Sequence, residues 1–203
     1  MAERTLLHYT KHSGKLKGLY SLSTSTKENP FCRTQLHEVC THCYADRISG
    51  FRKTLEDHLR NNYDLLQMDL TDHYLKVPSY VGPHLRLHSF GELGSRQHAQ
   101  NFVRLAQLNP SVQMTLWTKR PQLLKALDIP ENLSILWSLG RLDLPEPDAF
   151  EMYHQMKSLY PFLKGGYYVG TKAKGFKPCG TSCSDCMRCY PPKQDDLIPQ
   201  LLH

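Results

Sequence analysis

Seven cysteines fall into two groups near opposite ends of this chain: Cys32, Cys40 and Cys43, then Cys179, Cys183, Cys186 and Cys189. An odd count with close neighbours makes a poor disulfide framework, so these residues point to metal binding. The front motif, Cys32-x7-Cys40-x2-Cys43-Tyr44-Ala45, offers three thiolates. Three thiolates can hold three irons of a [4Fe–4S] cluster and leave the fourth iron open to a small molecule. Zinc is the alternative there, with His37 or His42 as a fourth ligand. The back motif, Cys179-x3-Cys183-x2-Cys186-x2-Cys189, packs four cysteines into eleven residues. Such compact spacing is closer to ferredoxin loops than to zinc ribbons. An auxiliary [4Fe–4S] cluster is expected in the back site, with zinc or ligand sharing with the front site as alternatives.

These groups must be positioned by the elements around them. Gly18-Leu19-Tyr20-Ser21-Leu22-Ser23-Thr24 alternates apolar with small polar residues and reads as a first strand ending just before the front cysteines. Leu55, Leu59, Tyr63 and Leu66 have helical spacing within 54–68. His84-Leu85-Arg86-Leu87-His88-Ser89 alternates again, and Ser95 reads as the cap of a helix carrying Ala99, Phe102, Val103 and Ala106 on one face. Further strands are expected at 112–117, 134–139 and 166–169, with a short helix from Pro121 and another over 148–159. Strands alternating with helices imply an α/β fold of parallel strands joined by right-handed crossovers. Five or six such units are too few for a closed eight-unit barrel of about 250 residues, which leaves a partial, open barrel or an open sheet. The loops after the strands then gather on one rim, where such folds bind ligands.

Length and charge narrow the partners. A chain of 203 residues accommodates one domain with a substantial core: 1–170 as the βα domain and 171–203 as a cysteine-rich tail packed on it. No hydrophobic leader and no bilayer-length apolar run is evident, so a cytoplasmic, reducing setting without a membrane partner is expected. A formal net charge of +6 suits an anionic partner such as a nucleotide or nucleic acid, although lysines solvated across the surface would produce the same sum.

Several residues in order resemble the phage family known as "gene product 88": Leu19-Tyr20-Ser21-Leu22-Ser23, the front cysteines with Tyr44-Ala45, Arg86-Leu87-His88-Ser89-Phe90-Gly91-Glu92-Leu93, Trp117-Thr118-Lys119-Arg120 and the cysteine-rich C-terminus. That family looks like a reduced relative of the radical S-adenosylmethionine (SAM) superfamily. The resemblance implies a partial TIM-like barrel whose three-cysteine loop holds a [4Fe–4S] cluster. The open iron would chelate the amino and carboxylate groups of SAM, and an electron from a reductant would cleave SAM to a 5′-deoxyadenosyl radical. By position, Tyr44 would pack near the cluster and adenine, Ser89, Gly91 and Glu92 would lie in the segment receiving the SAM amino group, and Ser138 would contact ribose. The first two front cysteines are seven residues apart where three is usual, and Cys179, Cys183 and Cys186 carry the usual spacing. The tail therefore competes for the SAM-binding cluster.

Other residues are weighed against structural roles. His84, Arg86 and His88 are expected on one strand face, turned toward a barrel lumen where they could meet SAM or substrate, or hydrogen-bond within a polar interior. Lys119 and Arg120 could bind a carboxylate or phosphate, or form a cationic turn before Pro121. Trp117, Trp137, Tyr167 and Tyr168 read as core. The leading expectation is an iron–sulfur protein of radical SAM type acting on an unidentified substrate. A non-catalytic iron–sulfur or zinc protein that binds nucleic acid or protein is the alternative.

Overall fold

The computed structural model describes residues 6–170, 182–187, 189–190 and 196–201. Seven strands form one sheet in chain order: β1 (Tyr9–Lys11), β2 (Tyr20–Leu22), β3 (His84–Leu87), β4 (Gln113–Thr118), β5 (Leu133–Leu142), β6 (Leu163–Gly170) and β7 (Asp196–Leu201). β1 runs antiparallel to β2, and every other neighbouring pair is parallel. The sheet is not closed, with β1 and β7 as its edges. Because each strand sits beside its sequence neighbours, the chain steps across the sheet in one direction without the reversal that marks a doubly wound fold. The α/β class and its parallel strands are as expected.

Registered side chains explain why the sheet has two unlike faces. Leu22, Leu87, Leu116, Ile135 and Leu163 stand side by side on five strands, all fully buried. One residue out of phase, Ser21, Arg86, Thr115 and Ser134 form a parallel polar row on the other face. The aliphatic face packs under α3 (Lys53–Leu66) and α4 (Arg96–Leu108) through Leu65, Leu66, Ala99, Phe102 and Ala106. Each buried leucine or isoleucine of that row contributes roughly 2 kcal/mol. α4 begins where expected, with Ser95 accepting from the His98 N–H at 3.2 Å. α5 (Glu146–Leu159) carries Glu146 and Asp148 in its first turn, complementing the helix dipole, and buries Ala149 and Tyr153. The segment from Pro121 forms only a single 3₁₀ turn, Pro121–Leu124.

The polar face is covered by the tail instead of by helices. Leu19, Trp117, Leu136 and Ile198 pack with Cys189 and Tyr190, joined by Tyr167, Cys183 and Met187. Thr115 Oγ1 donates to the Cys189 carbonyl at 2.7 Å, fastening the tail to the polar row. A mostly parallel sheet needs both faces protected, and this chain meets that need with its cysteine-rich segment. Among the described residues, no helix is long and apolar enough to cross a membrane.

Two histidines beneath the end of β3 tie stability to pH. His98 is fully buried and its Nδ1 accepts from the Gly94 N–H at 3.1 Å. Burial, helped by the Arg120 charge, lowers its pKa to about 3. The His88 ring lies 5.1 Å away and is pushed down by burial, then by His98, Lys119 and Arg86. Both rings remain neutral in the folded chain at acidities where an unfolded chain protonates them, near pH 6.5. The unfolded state then binds more protons, so stability present above pH 6.5 is lost as pH falls toward 3. Urea midpoints at pH 7, 6 and 5 are expected to report a loss of about 1.4 kcal/mol per pH unit for each histidine once below pH 6. Constant midpoints over that range would contradict the neutral assignment.

Candidate functional site

The front cysteines occupy a loop pinned at several points. Asn29 caps α1 (Pro30–Arg33), accepting from the Phe31 N–H, while its Nδ2 donates to the Glu92 carbonyl at 2.7 Å. Cys32 lies in α1, Cys40 in the 3₁₀ turn Glu38–His42, and Cys43 at the start of α2 (Tyr44–Gly50). The loop reaches across to β5: the Leu142 N–H donates to Glu38 Oε2 at 3.1 Å, and Gly140 abuts His37 so closely that a Cβ there would overlap the ring. Three separated cysteines are thereby held over the ends of strands that are distant in sequence.

Cys32, Cys40 and Cys43 line one cavity of about 560 Å³. Cys183, Cys186 and Cys189 line it as well, so both cysteine groups face a shared space. Cys179 lies outside the described residues. Cys32, Cys40, Cys43, Cys183 and Cys186 are free thiols. Burial pushes the Cys32 thiol up to about 12, reinforced by Glu92, Cys43 and Cys40 and opposed by the Lys119 ammonium. Cys40 is raised for the same first reason, again with Lys119 opposing. Lys119 is therefore the cation that favours thiolate at this end of the cavity. Burial acts to lower its own pKa, but Tyr167, Glu92, Cys40 and Cys32 together hold the ammonium above its ordinary range.

The segment after β3 lies against the front loop. Tyr44 donates to the Ser89 carbonyl at 2.5 Å and its ring meets Phe90 at 5.7 Å. Ser89 and Phe90 donate their N–H groups to Ser23 Oγ, leaving the buried Ser89 hydroxyl without a partner. Gly91 adopts φ +83° against Thr24. Tyr44, Ser89, Gly91 and Glu92, the positions singled out by the family resemblance, all line the cavity. The Glu92 carboxylate, however, is occupied by the chain itself. Its Oε1 accepts from the Leu93 N–H at 2.9 Å and Thr118 Oγ1 at 2.5 Å, and its Oε2 from the Lys119 N–H at 2.8 Å. Glu92 thus knits the end of β3 to the end of β4.

Two other candidates are placed differently. Ser138 is buried on β5 opposite Tyr167, its hydroxyl has no partner, and it is not among the cavity-lining residues. His88 does not continue the strand: its φ of +63° turns the ring against His98 and Phe102 of α4, although it still borders the cavity. Alternation carried one residue too far would have left it facing the same way as Arg86. Arg86 itself faces inward, with its guanidinium carbon 3.8 Å from the Trp117 ring centroid. Trp117 and Tyr167 are 4.4 Å apart and also line the cavity, so their inward role exceeds that of the core residues their composition indicates. The sequence signal was the i, i+2 pair Thr115 and Trp117 on a strand registered with Arg86.

Among the described residues, no three His, Cys, Asp or Glu side chains converge closely enough to hold a single metal ion. A [4Fe–4S] cubane gives each thiolate its own iron and so accepts donors that are spread around a larger centre. Three free thiols spread on the wall of one cavity, with an ammonium beside them, have donor chemistry that suits such a group. No match is found among curated proteins or among solved structures. A family model described as "Gene product 88" matches residues 3–192, nearly the whole chain. The chain accordingly belongs to the Gene product 88 family of phage proteins.

Proposed function

We propose that this protein is an iron–sulfur protein of radical SAM type, in which Cys32, Cys40 and Cys43 hold a [4Fe–4S] cluster whose remaining iron takes SAM. The observation that carries the reading is the meeting, in one cavity, of three cysteines from the loop after the first parallel strand with Tyr44 and the Ser89, Gly91 and Glu92 segment. The one-directional strand order also supports a partial TIM-like barrel, with the cavity at its mouth. The tail cysteines would hold a second cluster, or zinc.

When bound, the front cluster would supply one electron to the sulfonium of SAM, drawn from an external reductant. The chain's own residues do the rest. Tyr44 holds the carbonyl of Ser89, and Glu92 locks the same segment to β4, which fixes the acceptors that would meet an ammonium group. Lys119 offsets the negative charge of three thiolates. The tail roofs the polar face and shields the cavity from bulk water.

Anaerobic reconstitution is expected to yield about eight irons per chain if both groups hold cubanes. Dithionite and SAM should then release 5′-deoxyadenosine. A reduced cluster that yields none would end the radical SAM reading. The net charge of +6 favours a second reading, a non-catalytic metal-dependent binder of nucleic acid. It would show tight, salt-sensitive binding to DNA or RNA without SAM turnover. In either case the site needs the reduced thiols of a host cytoplasm.

A further inference from the structure

One cation that lines the cavity has no counter-ion among the described residues. Arg86 is half-buried at the centre of the polar row, its Nε is sealed from solvent, and that Nε has no hydrogen-bond partner. The ion pairs among the described residues are made by Arg60 and Arg104, so no carboxylate of the described residues is paired with Arg86. Two further buried donors border the same space unpartnered, the indole N–H of Trp117 and the hydroxyl of Tyr190. Buried donors are nearly always satisfied in a folded protein, and a guanidinium is suited to bidentate contact with an oxyanion.

We propose that Arg86, with Trp117 and Tyr190, forms an oxyanion subsite for the carboxylate or phosphate of a small-molecule ligand. Arg86 and Lys119 both line the cavity but stand on neighbouring strands, Arg86 within β3 and Lys119 just past the end of β4. The Thr115 bond to Cys189 fixes the chain beside Tyr190, whose ring meets that of His84, two residues before Arg86 on β3. The face of Trp117 lies against the guanidinium, and Tyr167 meets the same indole at a tilt of 41°, which together hold Arg86 at the cavity wall. The subsite extends beyond the radical SAM reading and does not depend on it, because none of its donors comes from the front loop.

The test uses the full chain without added metal. In a Trp137→Phe background, Trp117 fluorescence is titrated at constant ionic strength with inorganic phosphate and separately with acetate. A saturable response is expected, and the tighter anion identifies the ligand class. Arg86→Met should weaken it by about tenfold or more, with Arg86→Lys retaining part of the affinity, since a bidentate charged contact is lost in one and reduced to a point charge in the other. Tyr190→Phe should weaken it by about threefold, and carries the test if Arg86→Met misfolds by circular dichroism. No saturable response to either anion, or a response untouched by both Arg86→Met and Tyr190→Phe, overturns the subsite. Loss of the response on loading the tail with iron would also overturn it, by making the tail cluster the counter-ion of Arg86. Failure to cleave SAM would leave this result unaffected.

Discussion

Cys43→Ala is expected to remove about four irons per chain and to abolish the change in the reduced EPR spectrum that SAM produces, while Cys186→Ala keeps that change. The difference arises because the two cysteine groups reach one cavity from separate segments, the front loop and the tail. Cys43 begins α2 beside Tyr44, whose hydroxyl holds the Ser89 carbonyl, so the front thiols share a wall with the segment proposed for the SAM amino group. Cys186 comes from the short helix Cys183–Cys186 on the tail. An unchanged SAM response in Cys43→Ala, together with its loss in Cys186→Ala, would move the SAM-binding cluster to the tail. The tail's Cys179-x3-Cys183-x2-Cys186 spacing makes that a real contest. The EPR comparison decides it without requiring any substrate.

Gly91→Ala is expected to cost about 3 kcal/mol, seen as a fall of about 10 °C in the melting temperature. Two terms combine. A side chain at φ +83° costs about 1–2 kcal/mol in itself. The added Cβ would also overlap Thr24 Oγ1 and lie 2.5 Å from the Thr24 carbonyl oxygen, where no rotamer change relieves the clash. Gly82→Ala provides the control. Its φ is +78° but nothing lies within 4 Å of the added atom, so only the backbone strain of about 1 kcal/mol should appear. Thr24→Ala in the Gly91→Ala background should recover little, because the backbone oxygen remains. Equal losses in the two glycine variants would show that the contact with Thr24 contributes nothing.

The helices and central strands were legible in the sequence because their signals are local. Leu55, Leu59 and Leu66 mark α3 at helical spacing, and Ser95 caps α4 through its own side chain. The edges were not legible. β1 spans only Tyr9–Lys11, too short for alternation to register. β7 contains Pro199, which argues against a central strand, and the sheet accepts it because β7 pairs only with β6. At the site, the front cysteines stand out by spacing, Tyr44, Ser89, Gly91 and Glu92 only through the family resemblance, and the structure brings them to one cavity. The resemblance places Glu92 in the segment facing the SAM amino group, and in the structure its two carboxylate oxygens serve three donors of the chain. That use depends on Thr118 and Lys119 of a different strand, which no local pattern reports.

By itself the sequence determined which residues could do chemistry and, within the strands though not past the end of β3 at His88, on which side each lies, since spacing and alternation are properties of neighbouring residues. Only the tertiary structure decided that the tail folds back over the polar face, that the two cysteine groups share one cavity, and that Arg86 rests on Trp117 with no ion-pair partner among the described residues. The reason is register. Alternation says that Ser21, Arg86, Thr115 and Ser134 point away from the leucines, but their alignment into one row depends on loop lengths and on packing between strands far apart in the chain.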